Sequence, residues 1–240
     1  MTGEDIETYK QQAAEHAVDF VTSGMILGLG TGSTARYVLE SIARRLQQGT
    51  LESVEGVPTS AQTEQLARQL GIPLTTLEER PMVDLTIDGA DEVDDSLNLI
   101  KGGGGGALLR EKVVAQASRR YIIVVDSGKC SPTLGTRWAL PVEVLPMAQQ
   151  SESGYLESLG ARVSLRMDTD GAPRKTDNGN IILDADFGPI AEPEVLARKL
   201  DSRAGVMGHG LFLGLTTDLI VAGRDGVRHL TQNRLENSYE

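Results

Sequence analysis

Short apolar segments alternate with amphipathic ones over the first half of the chain, and this alternation limits the possible folds more than any other feature. Residues 25–29, 53–57, 83–87 and 121–125 are predicted strands. Apolar residues recur at helical spacing between them, which predicts that helices separate these strands. Strands and helices in this order favour a parallel sheet with helices on both faces. The predicted fold class is α/β, with a doubly wound, mostly parallel, Rossmann-like sheet.

Capping residues predict where two of the helices begin. Ser33 or Thr34 can cap the helix that follows the first strand and ends at Gly49. Thr59 and Gln62 have the spacing of a capping box, which opens a helix to about residue 70. Further helices are predicted at residues 4–21 and 108–117.

The alternation weakens after Cys130, where a smaller α+β unit is predicted. Its predicted strands are residues 142–145, 161–165 and 181–184. Its predicted helices are residues 148–159 and 194–200. Residues 211–215, 219–222 and 227–230 return to strand character and are predicted to rejoin the first sheet. Residues 1–133 with 211–240 are therefore predicted to form a Rossmann-like catalytic domain, and residues 134–210 the smaller α+β domain.

Charge and cysteine content narrow the class of function. The chain has 34 acidic and 23 basic residues, a net charge of −11 that repels phosphate backbones, so nucleic acid is not an expected partner. The single cysteine excludes an intramolecular disulfide and favours a reducing compartment. No apolar run has the length of a membrane span, and the N-terminus lacks a signal-peptide pattern. We expect a cytoplasmic protein with no membrane partner.

Unusual polar clusters occur where predicted strands end. They lie at residues 31–34, 88–91, 101–106 and 126–129. Ligands of open parallel sheets bind at the carboxyl ends of the strands. The clusters therefore predict one binding site at this edge of the sheet.

The glycine-rich loop at residues 28–34 predicts a phosphate site. It combines backbone N–H groups, hydroxyls and a helix N-terminus, which suit an anion; a tight turn without a ligand is the alternative. The spacing G-x-G-x-G differs from the dinucleotide pattern, and the next strand ends in Pro58 rather than in a carboxylate. No Walker-type lysine follows. The loop favours a monophosphate, and no cofactor is expected.

Carboxylates and glycines crowd the next two clusters. Asp88 and Asp91 leave three interpretations open: a metal site, a solvated acidic turn, or acid–base and hydroxyl-binding duty. The histidines lie far away in the sequence, so a metal is the least favoured and none is expected. Lys101 precedes five glycines, whose conformational cost is explained if their backbone forms an anion-binding nest; a loose loop is the alternative. Glu111 follows in the first turns of the predicted helix. From the residues alone it can be interpreted as an exposed helix carboxylate.

Five segments, in order along the chain, resemble the ribose-5-phosphate isomerase A family. They are GLGTGSTA at residues 28–35, DGADE at 88–92, KGGG at 101–104 with REK at 110–112, LPVEV at 140–144 and TDNGN at 176–180. The resemblance implies an aldose–ketose isomerase that interconverts D-ribose 5-phosphate and D-ribulose 5-phosphate through an enediolate, in the non-oxidative branch of the pentose phosphate pathway. It also implies a small-molecule pentose 5-phosphate as partner, no cofactor, and a homodimer or larger homo-oligomer.

The resemblance implies roles for individual residues as well. Glu111 is the proton-transferring base, and Asp88, Asp91 and Lys101 are the other catalytic residues. The implied substrate-binding residues are Lys10, Thr31, Gly32, Ser33, Thr34, Asp88, Gly89, Ala90, Asp91, Lys101, Gly102, Gly103, Gly104 and Lys129. This sequence has one residue more than is usual in the family between Lys101 and Glu111, and Leu109 stands where threonine is common.

Three other functions compete with this interpretation. A phosphosugar-sensing regulatory domain would need a DNA-binding partner domain, and the acidic sequence offers no basic helix-turn-helix. An acyl-CoA transferase with a glutamate nucleophile would form a covalent thioester with CoA. A nicotinamide-dependent dehydrogenase is weakened by the loop spacing.

Overall fold

The computed structural model describes residues 3–231. The helices are α1 (Gly3–Val18), α2 (Ser33–Gln47), α3 (Ala61–Gln69), α4 (Leu108–Gln116), α5 (Gln149–Ser158) and α6 (Pro193–Asp201). The strands are β1 (Ile26–Leu29), β2 (Glu55–Pro58), β3 (Val83–Asp88), β4 (Glu92–Val93), β5 (Leu99–Ile100), β6 (Ser118–Asp126), β7 (Leu140–Val144), β8 (Arg162–Leu165), β9 (Ile181–Asp186), β10 (Val206–His209), β11 (Leu211–Phe212), β12 (Asp218–Gly223) and β13 (Gly226–Thr231). No helix within these residues is long and apolar enough to cross a membrane.

The largest sheet in the described part of the chain has six strands in the order β13-β12-β6-β3-β1-β2. Strands β2, β1, β3, β6 and β12 run parallel, and β13 pairs antiparallel with β12. Parallel neighbours need long crossover connections, which the helices supply. The predicted α/β class with a mostly parallel sheet is confirmed.

Helices and loops cover both faces of this sheet. In β6, Ile122 and Val124 pack into the cluster that contains Ala13 of α1 and Val38 of α2. The residues between them, such as Ile123, pack on the opposite face with part of α4 and β11. Side chains alternate between the two faces of a strand, so both faces of β6 are buried. The doubly wound arrangement is confirmed.

A smaller antiparallel sheet follows in the order β10-β7-β9-β8. Leu156 of α5 and Leu200 of α6 pack against it in a separate apolar cluster. The predicted strands and helices of the smaller unit are therefore present. The division of the chain into two domains remains a prediction, and residues 232–240 of it lie outside the described residues.

The prediction that residues 211–215 rejoin the first sheet is wrong. Leu211 and Phe212 form β11, which pairs antiparallel with β5. These strands belong to a separate three-stranded sheet of order β11-β5-β4. The reason is the preceding residue, since the carbonyl of Gly210 accepts the N–H of Lys101 and draws the segment toward β5. The strands predicted at 219–222 and 227–230 do rejoin the first sheet.

The predicted helix caps are displaced by one residue. Gly32 is the N-cap of α2, with a φ of 107° and no side-chain cap, so Ser33 and Thr34 already lie within the helix. A positive φ is inexpensive for glycine, which explains why the turn is made there. Ser60 caps α3 by accepting the N–H of Thr63 at 3.0 Å, where Thr59 was the predicted cap.

Candidate active site

A cleft of about 560 Å³ opens at the carboxyl ends of β1, β3 and β6. It lies where the polar clusters predict a site. The residues that line it are Ile6, Lys10, Thr31, Gly32, Ser33, Thr34, Gln62, Gly89, Ala90, Asp91, Lys101, Gly102, Gly104, Gly105, Ala107, Glu111, Asp126, Gly128 and Lys129.

Lys101 and Glu111 form a buried ion pair in the wall of this cleft. Lys101 directly follows β5, and Glu111 lies in the first turn of α4. The Nζ atom of Lys101 lies 3.2 Å from Oε1 of Glu111. Lys101 is 2% exposed and Glu111 5% exposed. Charges so far from water interact strongly, so Lys101 favours the charged form of Glu111.

Asp88, the last residue of β3, connects this pair to the neighbouring loops. Its Oδ2 atom lies 3.0 Å from Nζ of Lys101, and the hydroxyl of Tyr121 lies 3.5 Å from the same oxygen. Its Oδ1 atom accepts the N–H groups of Thr31 at 3.0 Å and Gly89 at 2.8 Å. Asp88 is fully buried and lies behind the cleft wall. It therefore fixes Lys101 and the glycine-rich loop from behind.

Burial and neighbouring charges give Glu111 and Lys101 unusual pKa values. Burial raises the pKa of Glu111 to about 7; Lys101 opposes this shift and Asp88 adds to it. Burial alone would lower the pKa of Lys101, but the carboxylates of Asp88 and Glu111 outweigh it and hold the pKa well above its usual value. At neutral pH, Glu111 can therefore both lose and regain a proton, while Lys101 stays charged.

The N-terminus of α2 gives another part of the cleft an affinity for anions. The first N–H groups of a helix have no intrahelical acceptor, and the helix dipole adds positive potential there. Ser33 and Thr34 lie in this first turn. Lys10 of α1 and Lys129, at the end of a short 3₁₀ turn, add two ammonium groups, and Lys10 pairs with Glu7 at 2.7 Å. Together these groups suit a phosphate.

Thr31 fixes the glycine-rich loop. Its hydroxyl lies in a cluster of hydroxyl groups, 2.7 Å from that of Thr59, 2.9 Å from Ser60 and 3.1 Å from Thr63. Its N–H is bound by Asp88. These contacts hold the loop against the start of α3, so Ser33 and Thr34 are better placed than Thr31 to present hydroxyls to a ligand.

The acidic segment after β3 divides its carboxylates among different tasks. Asp91 lines the cleft, and its Oδ2 atom accepts the N–H of Gly103 at 2.7 Å. Glu92 is fully buried and accepts the N–H groups of Gly135 at 2.9 Å and Arg137 at 3.1 Å. The interpretation of a solvated acidic turn is therefore wrong for Asp88, which is fully buried. Within residues 3–231, no group of three or more His, Cys, Asp or Glu side chains is placed to hold a metal ion.

Trp138, which the sequence interpretation overlooked, packs against both the glycine loop and Lys129. A Cβ atom built on Gly103 would lie 2.3 Å from Nε1 of Trp138, so the indole sits directly against the glycine backbone. The Nζ atom of Lys129 lies 5.1 Å from the centroid of the indole ring, within the range of a cation–π contact. That Trp138 is the only tryptophan of the chain was the available signal.

The small sheet holds the glycine loop from the other side. Arg166, just after β8, donates from Nη1 to the carbonyl of Gly102 at 2.6 Å and pairs with Asp184 of β9. Gly102 and Gly106 adopt positive φ angles of 94° and 79°. The loop between Lys101 and Glu111 thus closes so that these two side chains are in contact.

A turn at residues 176–180 links the small sheet to α3. Glu143 of β7 is fully buried, and its Oε1 atom accepts the hydroxyl of Thr176 and the amide of Asn180, each at 2.8 Å. Asp177 accepts the N–H of Ala61, the first residue of α3, at 2.7 Å. The TDNGN and LPVEV segments are therefore supports for the site and not part of the cleft lining.

A larger cavity of about 870 Å³ lies beside α3 and α4. Leu109 and Val113 of α4 line it, whereas Glu111, between them on the helix, lines the smaller cleft. The buried ion pair therefore identifies the smaller cleft as the candidate active site, although it has the smaller volume.

Comparison with known proteins identifies the family. The model of the family "Ribose 5-phosphate isomerase A (phosphoriboisomerase A)" matches residues 55–226. The chain belongs to the ribose-5-phosphate isomerase A family. Ribose-5-phosphate isomerase A of Chloroflexus aurantiacus is 58% identical over 225 residues, 94% of this chain and 94% of that protein. The protein of the same name from Desulfatibacillum aliphaticivorans is 56% identical over 230 residues, 96% of this chain and 99% of that protein.

Solved structures agree with this membership of the ribose-5-phosphate isomerase A family. The ribose 5-phosphate isomerase of Plasmodium falciparum has a TM-score of 0.92 and 41% identity, and the match covers 95% of this chain and 100% of that one. A D-ribose-5-phosphate isomerase in complex with phospho-erythronic acid has a TM-score of 0.92 and 37% identity, covering 94% of this chain and 99% of that one. The resemblance drawn from the sequence motifs is confirmed.

The structure gathers most residues implied by the family resemblance around one cleft. Asp88 and Gly103 do not line it: the first lies behind Lys101, and the second donates its N–H to Asp91. The cleft also includes Ile6, Gln62 and Ala107, which the sequence interpretation did not assign to the site. Gly105, Asp126 and Gly128 line it as well; they belong to the predicted polar clusters but not to the implied substrate-binding residues. Gln62 was interpreted as part of a capping box, and the cap at Ser60 leaves its side chain free of that task.

Proposed function

We propose that this chain interconverts D-ribose 5-phosphate and D-ribulose 5-phosphate, with Glu111 moving a proton between C1 and C2. The observation that carries the proposal is the buried pair of Glu111 and Lys101 in the wall of a cleft that also holds a helix N-terminus suited to phosphate. Aldose–ketose interconversion removes a proton next to a carbonyl, and a carboxylate that faces both carbons can remove and return it. A pKa of about 7 suits a group that must do both.

Lys101 is the proposed stabiliser of the enediolate oxygen. Its ammonium contacts Asp88 at 3.0 Å, the carbonyl of Gly89 at 2.5 Å and Glu111 at 3.2 Å. An ammonium has three donors, so a substrate oxygen must take the place of one of these acceptors. Gly89 and Glu111 both line the cleft beside Lys101, and Glu111 is the one that gains the substrate proton. This transfer neutralises Glu111 and thereby releases a Lys101 donor to the developing oxyanion.

Asp91 is the proposed group that assists ring opening by moving a hydroxyl proton. Its carboxylate lines the cleft and accepts one backbone N–H, from Gly103. Asp88 is buried behind Lys101, with contacts to both of its oxygens. We therefore assign ring opening to Asp91 and the positioning of Lys101 to Asp88.

The phosphate is proposed to bind at the first turn of α2. Ser33 and Thr34 supply N–H and hydroxyl groups there, and Lys10 and Lys129 supply positive charge. Anchoring a non-reacting group supplies binding energy that positions the reacting carbons. One structural relative is in complex with phospho-erythronic acid, which supports a phosphorylated small molecule as the ligand of this chain.

Homo-oligomerisation and a cytoplasmic location are further proposals, and family membership supports both. Sedimentation equilibrium tests the first proposal, and a monomer at micromolar concentration would overturn it. Imaging of a tagged protein in its host cell tests the second.

The test of the function is a direct isomerase assay of the parent, Glu111→Gln and Glu64→Gln. Ribose 5-phosphate is supplied without nicotinamide or CoA, in the presence of EDTA, and ribulose 5-phosphate formation is followed. We expect turnover by the parent and a loss of at least ~10²–10⁴-fold in Glu111→Gln, because an amide cannot accept the proton. Glu64→Gln, a surface change of the same chemistry on α3, should keep the parent rate.

Solvent-deuterium incorporation at C1 or C2 reports proton abstraction itself and should fall together with turnover. Absence of turnover in the parent overturns the function and favours a sensing domain; turnover restored by nicotinamide favours a dehydrogenase, and a thioester with CoA a transferase. Full activity of Glu111→Gln with loss of exchange in Asp91→Asn moves the base to Asp91. Loss of parent activity in EDTA, with recovery on adding a divalent ion, contradicts the metal-free mechanism.

A further inference from the structure

Residues 209–212 lie between the two elements that carry Lys101 and Glu111. On one side, Leu211 and Phe212 form β11 and pair with β5, whose last residue precedes Lys101. The N–H of Lys101 itself donates to the carbonyl of Gly210 at 2.9 Å. On the other side, the Nζ atom of Lys112, the residue after Glu111, donates to the carbonyl of His209 at 2.7 Å. Both halves of the ion pair are therefore held by the same four residues.

Gly210 brings the backbones into direct contact on the Lys101 side. A Cβ atom at this position would lie 2.3 Å from the carbonyl oxygen of Lys101 and 2.8 Å from Cδ of Pro141. Its N–H donates to the carbonyl of Pro141 at 2.8 Å. There is no room for a side chain, so Lys101 is fixed to the segment by backbone contacts.

Lys112 makes the connection on the Glu111 side. Besides the His209 carbonyl, its ammonium lies 3.4 Å from Nδ1 of His209, and that nitrogen accepts the N–H of Leu211 at 3.2 Å. The imidazole is neutral, because burial and the charge of Lys112 lower its pKa to about 4 against the opposing effect of Asp201. Burial also lowers the pKa of Lys112 to about 8. The contacts with His209, rather than an ion pair with a carboxylate, therefore fix the position of Lys112.

The ring of Phe212 forms a second connection between the two lysines. It is fully buried, and its centroid lies 5.1 Å from Nζ of Lys112 and 5.7 Å from Nζ of Lys101. Both distances are within the range of cation–π attraction. A shift of Lys112 would therefore disturb the packing on which Lys101 also rests.

We propose that Lys112 is a positioning residue, which holds α4 against residues 209–212 and thereby sets the separation of Glu111 from Lys101. This inference rests on the proposed function, in which Glu111 moves the proton. Small displacements of reacting groups have large effects on rate, so Lys112 should matter to catalysis although it does not line the cleft.

The test compares Lys112→Met, Lys112→Arg and Lys199→Met in the full chain. We expect Lys112→Met to lose about 10- to 100-fold in kcat, the size of effect that a misplacement of about 1 Å produces. KM should change by less than about threefold, because the phosphate end of the cleft is untouched. The apparent pKa of the acidic limb of the kcat profile should rise, because Lys101 lowers the pKa of Glu111 less when it is displaced. Lys112→Arg, which can still donate to the carbonyl, should recover much of the kcat.

Lys199→Met removes the same charge from an exposed position on α6 and should stay within about twofold of the parent. Parent values of kcat and of the pH profile in a folded Lys112→Met variant would overturn the proposal, as would a Lys112→Arg variant no better than Lys112→Met. If Lys112→Met does not fold, Lys112→Gln is measured in the same way, with the same two outcomes. Absence of turnover in the parent would instead defeat the proposed function, and a fully active Glu111→Gln would show that Glu111 is not the base, so these failures are distinguishable from failure of the Lys112 proposal.

Discussion

Glu111 differs from the carboxylates on the protein surface because its charge is formed away from water. Burial disfavours that charge and Lys101 opposes this effect, and the result is a pKa of about 7. Asp88 acts on Lys101 in turn: its carboxylate raises the pKa of Lys101 and so favours the charged ammonium. The three side chains therefore form one electrostatic unit, in which removal of any one changes the proton affinity of the others.

We expect kcat to fall as the pH drops below about 7. The base must be ionised, and a raised pKa means that Glu111 becomes protonated while ordinary carboxylates are still charged. Substrate phosphate titrates near pH 6, so kcat under saturating substrate is the quantity to measure rather than kcat/KM. A kcat that is constant from pH 8 to pH 5.5 would contradict the pKa assigned to Glu111.

The roles of single residues were predictable to different degrees. The helix around Glu111 follows from local spacing, but its role came from resemblance to a family, because burial depends on how α4 packs. The carboxylates after β3 show the same limit: the sequence places Asp88 and Glu92 in one cluster, whereas one supports Lys101 and the other binds the N–H groups of Gly135 and Arg137. The contacts of Glu92 span 43 and 45 residues, and separations of that size leave no local pattern.

Among the elements, the longer strands were predictable and the shortest were not. Strands β3 and β6 carry apolar runs that are buried on both faces, which is a clear signal. Strands β4 and β5 have two residues each, too few to show a period of two. The two residues of β11 lie within the strand predicted at 211–215, but the sheet that they join was not predictable. These short strands carry the backbone into Lys101, so the least predictable elements are those that position the site.

We expect Arg166→Met to impair catalysis through the glycine loop. Arg166 donates to the carbonyl of Gly102 across from the small sheet, and without this bond the loop between Lys101 and Glu111 loses an anchor. Loss of a charged hydrogen bond of this kind costs about 1.5–3 kcal/mol, and part of that should appear as a lower kcat/KM. Steady-state kinetics on ribose 5-phosphate measures the effect.

Arg162→Met is the matched control for that substitution. Arg162 also lies on the β8 side and pairs with an aspartate of β9, Asp186, but it is mostly exposed and does not reach the loop. Its loss should leave kcat/KM near the parent value. Equal effects of the two substitutions would show that the Gly102 contact has no special importance.

On the scale of the whole molecule, the ion pairs that hold the sheet lie at the edge opposite the cleft. Asp218, the first residue of β12, accepts two hydrogen bonds from Arg120 of β6, at 2.7 and 2.9 Å, and lies 2.8 Å from Nε2 of His229 of β13. Three adjacent strands, β6, β12 and β13, are thereby joined at the side of the sheet that lies away from the cleft. Stability and catalysis are thus assigned to opposite edges of one sheet.

We expect Asp218→Asn to destabilise the fold and leave catalysis intact. Burial raises the pKa of Asp218, but hydrogen bonds from Arg120, Thr217 and His229 outweigh it and lower the pKa to about 2. A lowered pKa contributes stability above the unfolded value, near 3.8, and this contribution is lost as the pH falls through about 2. The variant should be less stable than the parent by about 1–3 kcal/mol at pH 7.

Urea unfolding of both proteins between pH 7 and pH 2.5 measures this difference, which should shrink below about pH 4. Asp225→Asn, in the exposed turn between β12 and β13, is the control and should behave as the parent does at every pH. A difference that stays constant down to pH 2.5 would show that the carboxylate charge of Asp218 is not what stabilises the sheet.

The contact between Trp138 and Lys129 has a practical consequence. Because the chain has one tryptophan, its fluorescence on excitation at the red edge comes from a single indole that touches the glycine loop and the proposed phosphate lysine. Any anion that draws the ammonium of Lys129 off the ring changes the electric field across the indole, and the emission changes with it. The protein therefore carries its own optical label for occupancy of the cleft, readable with an unreactive phosphate and without turnover.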